Sequence, residues 1–190
     1  MQRRNRHVLI YAVAVLAIVL ACVTGIECQR ARVRRGNEFA AARALSAYCK
    51  AQELFRQERH YQGRVKVYAN KVDGRGFVDL YRLGGADSQG ELLSLIPEEM
   101  ARATSPAHPY KGYYFVDLAG RGSRGFDHTV DHGLCAVPAD YPRSGLRTFI
   151  VDVTGDVFWH DTGGKAQSVY PEPGWILPPD VSILPRWLRW

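Results

Sequence analysis

The stretch Asp127-His128-Thr129-Val130-Asp131-His132 gathers four side chains able to ligate a metal within six residues, and His160-Asp161 adds two more further along. Two histidines four residues apart serve zinc when a helix sets both rings on one face. Here the flanks are Gly125-Phe126 and Gly133-Leu134, which argue for strand or turn. In a strand, positions four apart share a face but stand about 13 Å from each other, too far for one ion unless the chain bends. The expectation is therefore a polar strand end or turn, with no metal. A metal-dependent hydrolase built on His128, His132 and His160 is the enzyme hypothesis that these residues define. A calcium site at the Asp152 to Asp156 turn has no EF-hand spacing behind it.

Other chemistry is thinner. Ser94, Ser105, Ser123 and Ser144 sit in no G-x-S-x-G setting, and Gly120-Arg121-Gly122-Ser123-Arg124-Gly125 lacks the lysine and spacing of a phosphate loop. Glu98-Glu99 reads as the solvated face of a short helix. No set of residues supplies a nucleophile, its base and an oxyanion site together, so no catalysis, cofactor or small-molecule substrate is expected. Cys49 and Cys135 are open to three readings, the least favoured being a catalytic thiol. In an exported domain they can close a helix-to-sheet disulfide, adding about 4 kcal/mol by loop closure. Otherwise they are two small buried thiols.

The elements that position these residues begin with an apolar run. No charged residue occurs from Val8 to Ile26, and as a helix those positions reach about 28 Å, close to the hydrocarbon thickness of a bilayer. Arg3, Arg4 and Arg6 precede the run, and Arg30, Arg32, Arg34 and Arg35 follow it, against Glu27 alone. The net charge of +6 thus lies wholly within residues 1–35, since the remaining 155 residues hold 18 basic and 18 acidic side chains. A neutral domain has no field to attract phosphate, which excludes nucleic acid as the partner. The flanking arginines suit lipid headgroups instead. The division expected is a cytoplasmic stub at 1–7, a transmembrane segment at 8–28, a basic juxtamembrane linker at 29–36, a domain at 37–165 and a Pro/Trp-rich tail at 166–190. Val19-Leu20-Ala21-Cys22 is an alternative lipobox with Cys22 as the acylated residue, and Val23-Thr24-Gly25 an alternative signal-peptidase site. In the preferred reading Cys22 and Cys28 are small residues in or beside the membrane helix.

Gly36-Asn37 is expected to interrupt the helix, with Asn37 as a new N-cap and Glu38 in the first turn. Beyond it, Ala41, Ala44, Leu45, Tyr48, Ala51, Leu54 and Phe55 recur at three- and four-residue steps and form one apolar stripe, which Gly63 ends. Residues 77–85 are expected to begin with a short strand, and 90–104 to hold a brief helix broken by Pro97. Strands are expected in 112–120, 126–141, 146–155 and 156–164. Thr148 to Asp152 and Val157 to Trp159 should pair as a hairpin through Thr154-Gly155-Asp156. One amphipathic helix followed by antiparallel strands gives an α+β class, with the helix stripe on one sheet face. Prolines 171, 173, 178, 179 and 185 forbid regular helix in the tail, which should cover the domain or lie near the membrane.

This plan resembles the type IV pilins and the pseudopilins of type II secretion, and most closely a group of uncharacterised bacterial exported proteins with a pilin-like N-terminal half. The matching stretches are 37–57, 110–118 and 133–159. The resemblance implies a pilin-like domain over 37–165, anchored in the bacterial inner membrane by one span and standing on its periplasmic side. It also implies a structural or interaction role with protein partners of the cell envelope, accessory to secretion or envelope assembly. Prepilins carry a glycine before the apolar run and a glutamate within it. Arg4-Asn5-Arg6-His7-Val8 has neither, so processing by a prepilin peptidase is not implied.

Overall fold

In the computed structural model the described residues are 2–58, 68–69, 80, 95–170 and 175. Helix α1, Gln2–Glu58, holds 57 residues, about 86 Å of continuous rise. Within its first half, the described apolar side chains point to every side: Val15, Leu16, Ile18, Val19, Leu20, Val23 and Ile26 are all exposed. This half is long and apolar enough to cross a membrane or to act as an export signal. Its second half has one buried face, on which Ala41, Ala44, Leu45, Tyr48, Ala51 and Phe55 are at most 6% exposed.

The apolar helix continues into the amphipathic one, as the fold class expects, and two finer expectations about it, the break at Gly36-Asn37 and Leu54 on the stripe, are corrected. The linker at 29–36 is helical, and Gly36-Asn37 does not interrupt it. One helical glycine costs only about 1 kcal/mol, and the neighbouring polar side chains serve the tertiary structure instead of a cap. Asn37 Nδ2 donates to the Ser144 carbonyl at 2.9 Å, and Glu38 Oε1 accepts the Leu146 amide at 2.9 Å. Leu54 falls off the stripe and is exposed, while Gln52, a polar residue, is fully buried at its centre. The expected helix end at Gly63 lies outside the described residues.

Helix α2, Glu98–Arg102, starts directly after Pro97, which holds the N-cap position. Within the stretch expected to begin with a strand, Leu80 is the described residue; it is helical and fully buried. The strands are β1 Tyr113–Asp117, β2 Gly120–Arg121, β3 Arg124–Gly125, β4 Gly133–Pro138, β5 Thr148–Asp152 and β6 Val157–His160. Four of them form an antiparallel sheet in the order β1-β4-β5-β6, and β2 pairs with β3 as a separate ribbon. The expected hairpin is β5–β6, paired from Thr148↔His160 to Val151↔Val157. Its turn needs a positive φ, which Gly155 supplies at 78°. The phosphate-loop-like glycines at 120–125 are the β2–β3 ribbon.

Both faces of the sheet are covered. Tyr113, Phe115, Leu134, Ala136, Phe149 and Val151 belong to the cluster that holds the helix stripe. Cys135, Val137 and Ile150 lie in a second cluster with Leu118 and Tyr170, against which Phe126, Phe158 and Trp175 pack. The start of the tail therefore covers the back of the sheet, and Tyr170 exchanges backbone hydrogen bonds with Gly120 at 2.7 Å and Gly122 at 3.0 Å. Residues 171–174 and 176–190 of the expected tail lie outside the described residues.

This two-sided core favours the buried-thiol reading of the cysteines over the disulfide. Successive strand residues point to opposite faces, so Cys135 faces the back cluster between the helix-facing Leu134 and Ala136. Cys49 packs on the helix side. Both are free thiols, with a sheet between them.

Candidate functional site

Of the residues singled out for metal chemistry, His128 and His132 meet at one place. His128 to Val130 form a tight turn, closed by the Val130 and Asp131 amides donating to the Asp127 carbonyl at 2.9 and 2.6 Å. Asp127 Oδ1 is occupied by the Thr129 amide at 3.0 Å and the Thr129 hydroxyl at 2.7 Å. The bend brings His128 and His132 to a single small cavity lined also by Tyr48, Ala69, Asp117, Leu118 and Gly133. Its volume is about 10 Å³ for a water's centre, room for about one water and not for an organic substrate. His128 Nδ1 and His132 Nδ1 are buried there without a hydrogen-bond partner. His160 lies on β6 instead, with its ring against Trp175. Among the described residues no group of three or more His, Cys, Asp or Glu is placed to hold a metal.

What surrounds His132 is a polar core between helix and sheet. Its ring stands edge-on to Tyr48 and Tyr68, with centroids 5.4 and 4.5 Å away. Gln52, on the helix stripe, grips a second chain segment with both ends of its amide. Nε2 donates to the Ala69 carbonyl and Oε1 accepts the Ala69 amide, each at 2.8 Å. Nε2 also donates to the Tyr48 hydroxyl at 2.9 Å, which itself reaches the Gly133 carbonyl at 3.4 Å. Tyr68 continues the network: its hydroxyl donates to Glu53 Oε1 at 2.6 Å, and its amide donates to the His128 carbonyl at 2.8 Å. Residues 68–69 are thus a wedge held by the helix on one side and by the 127–131 turn on the other.

Burial sets the protonation states of this core. Burial pushes His132 down to about 4, against the pull of Glu53, Asp152 and Asp131, so the imidazole is neutral at neutral pH. Burial raises Tyr48 well above the ordinary phenol value. Tyr68 goes up to about 12 through burial and its bond to Glu53. The thiols are held protonated: burial, with Asp152 and Glu53 adding to it, lifts Cys49 to about 12, and burial lifts Cys135 to about 12 against a backbone hydrogen bond from Gln167. A thiol held protonated is a poor nucleophile. Asp152, the first residue of the suggested calcium turn, is 2% exposed. Its Oδ1 accepts the Thr154 amide at 3.0 Å and the Thr154 hydroxyl at 2.6 Å, and its Oδ2 pairs with Arg121. Glu98 pairs with Arg102 on the short α2.

A second polar junction lies where α1 enters the domain. Glu38 is 6% exposed and binds the Leu146 amide and, at 3.2 Å, the Arg147 guanidinium. Arg147 in turn lies over the Trp159 ring, 4.5 Å from its centroid, and its carbonyl accepts the Tyr113 hydroxyl at 2.8 Å. Gly145 allows this approach, because a Cβ there would stand 2.1 Å from the Tyr113 oxygen. The sequence pattern signals neither Gln52 nor Glu38. The only hints were a glutamine inside an apolar stripe and a charged residue where a cap was expected.

The model of the family described as "Protein of unknown function (DUF2950)" matches residues 23–173. No curated protein matches the chain, and no solved structure does.

Proposed function

We propose that this chain, which belongs to the DUF2950 family, is a single-pass membrane-anchored protein with a pilin-like α+β domain outside the cytoplasm. It serves a structural or interaction role, with partners in the bacterial cell envelope and a place accessory to secretion or envelope assembly. The observation that carries this reading is the division of α1. One unbroken helix is apolar and bare over residues 14–26 and seated in a domain core over its second half. The bare half needs an apolar surrounding that the described domain does not provide. The absence of catalysis in this reading is supported by the water-sized cavity, the neutral buried imidazole and the protonated thiols.

A second reading, a lipoprotein acylated at Cys22 whose domain acts as a periplasmic binding module, is favoured by two observations. Cys22 is exposed, and the family match begins at the next residue. The intact mass of the protein extracted from its native membrane tests both. A mass beginning at Met1, or lacking Met1 alone, fits the permanent anchor. A mass beginning at Cys22 with acyl chains added removes the spanning helix and leaves the lipoprotein. Crosslinking in those membranes should capture a specific neighbour, and a uniformly monomeric, uncrosslinked protein counts against the interaction role.

A further inference from the structure

The continuity of α1 fixes the geometry of the arginines that follow the apolar run, and this inference rests on the anchor reading. Arg30, Arg32, Arg34 and Arg35 are helical. At about 100° of rotation per residue they point around more than half of the helix circumference and do not line one stripe. Arg30, Arg32 and Arg35 are exposed and Arg34 is half-buried. Glu27 compensates one of the four charges, through a 2.7 Å pair with Arg30. From Arg30 to Arg35 the rise is about 7.5 Å, matching the roughly 5–8 Å headgroup layer on each side of a bilayer.

The domain begins within one helical turn of this collar. Asn37 and Glu38 hold the β4–β5 connection, residues 139–147, through Ser144, Leu146 and Arg147. That connection exposes Tyr141, whose hydroxyl donates to Asp161 at 3.3 Å, and Leu146. It also exposes Arg143, with 81% of its side chain accessible and loosely paired with the exposed Asp140 at 3.7 Å. An aromatic, an aliphatic and a cationic side chain together are the composition of a membrane-interface anchor.

We infer that the arginine collar binds the headgroups of anionic phospholipids in the leaflet from which the helix emerges, and so sets the height of the domain above the bilayer. A protein partner would meet one side of a helix, whereas a headgroup layer surrounds it. Charge complementarity selects anionic over zwitterionic lipid, each arginine near such a surface being worth a factor of about five.

The test uses the full-length protein in nanodiscs of equimolar phosphatidylglycerol and phosphatidylcholine, released into native mass spectrometry. Phosphatidylglycerol adducts should exceed phosphatidylcholine adducts by roughly tenfold or more at low salt. Half-molar salt and the triple variant R32Q/R34Q/R35Q should each erase most of that excess. All three positions follow the apolar run; Arg32 and Arg35 are exposed, whereas Arg34 is half-buried at the start of the stripe face. An unchanged domain unfolding midpoint in the triple variant is therefore the control, and R32Q/R35Q, confined to exposed positions, should lose the excess in the same direction. Equal adducts in the unmodified protein, or an excess that the variant leaves intact, would overturn the inference. So would a variant that loses a crosslinked neighbour but keeps its anionic lipid, because the collar would then belong to a protein. If the chain fails to enter nanodiscs of either lipid, the anchor reading falls, and the inference with it.

Discussion

The two halves of α1 share one backbone conformation and differ in everything else. Residues 14–26 are apolar around the whole circumference and bare, whereas residues 38–55 are apolar on one face and buried there. The first half is apolar on all sides, as a membrane span or an export signal is. The second half is one-sided because a sheet covers only one side of a helix. Helix formation therefore says little about function in this chain. The breadth of the apolar face says which half meets a partner of fixed shape and which half meets a solvent.

The comparison breaks most readily at a core leucine. Leu45→Ala should destabilise the domain by about 2–5 kcal/mol, because Leu45 is fully buried on the sheet. Leu20→Ala, the same change at a bare position, should leave domain unfolding in detergent unchanged. Denaturant titration of both variants measures the contrast, and equal losses would mean that the halves are not independent.

Acid should separate the halves next. His132 is held down to about 4 in the fold, below the roughly 6.5 of an unfolded histidine. Between those values the unfolded chain binds the extra proton, so the stability this residue contributes is complete above about pH 6.5 and is lost as pH falls toward 4. The loss should reach up to about 3 kcal/mol, and His132→Phe should flatten the profile above pH 5. The run from Val8 to Ile26 has no charged or histidine side chain, so its extraction behaviour should not change over the same range.

A smaller effect belongs to the junction. Glu38→Ala leaves the Leu146 amide and Arg147 without their carboxylate and should cost about 2 kcal/mol, read as a lower unfolding midpoint. The smallest test is Gly36→Ala. A Cβ there meets nothing within 4 Å, and α1 is continuous through the position, so alanine should raise stability by about 0.5–1 kcal/mol. A loss on that substitution would restore the break that the sequence suggested and would separate the two halves into two helices.

Much of the architecture was legible in the residues. The apolar run, most of the buried stripe and the β5–β6 hairpin follow from local periodicity and turn chemistry, which act over a few residues. What local pattern misread were the residues whose partners are remote in sequence. Asn37 and Glu38 have the types of a helix start, but their partners Ser144, Leu146 and Arg147 lie more than a hundred residues away. Gln52 interrupts an apolar stripe because its amide pairs with Ala69. His128 and His132 look too far apart for one site until the turn at 127–131 folds them to one cavity.

The sequence by itself determined that an apolar segment of membrane length precedes a neutral α+β domain, because hydropathy, charge and period need no knowledge of contacts. Tertiary structure alone decided that Asn37 and Glu38 hold the β4–β5 connection instead of capping a helix, that Cys49 and Cys135 lie on opposite faces of a sheet, and that the two histidines line a water-sized cavity. Those outcomes depend on which strand faces which side and on hydrogen bonds closed across long loops, and no local pattern encodes either.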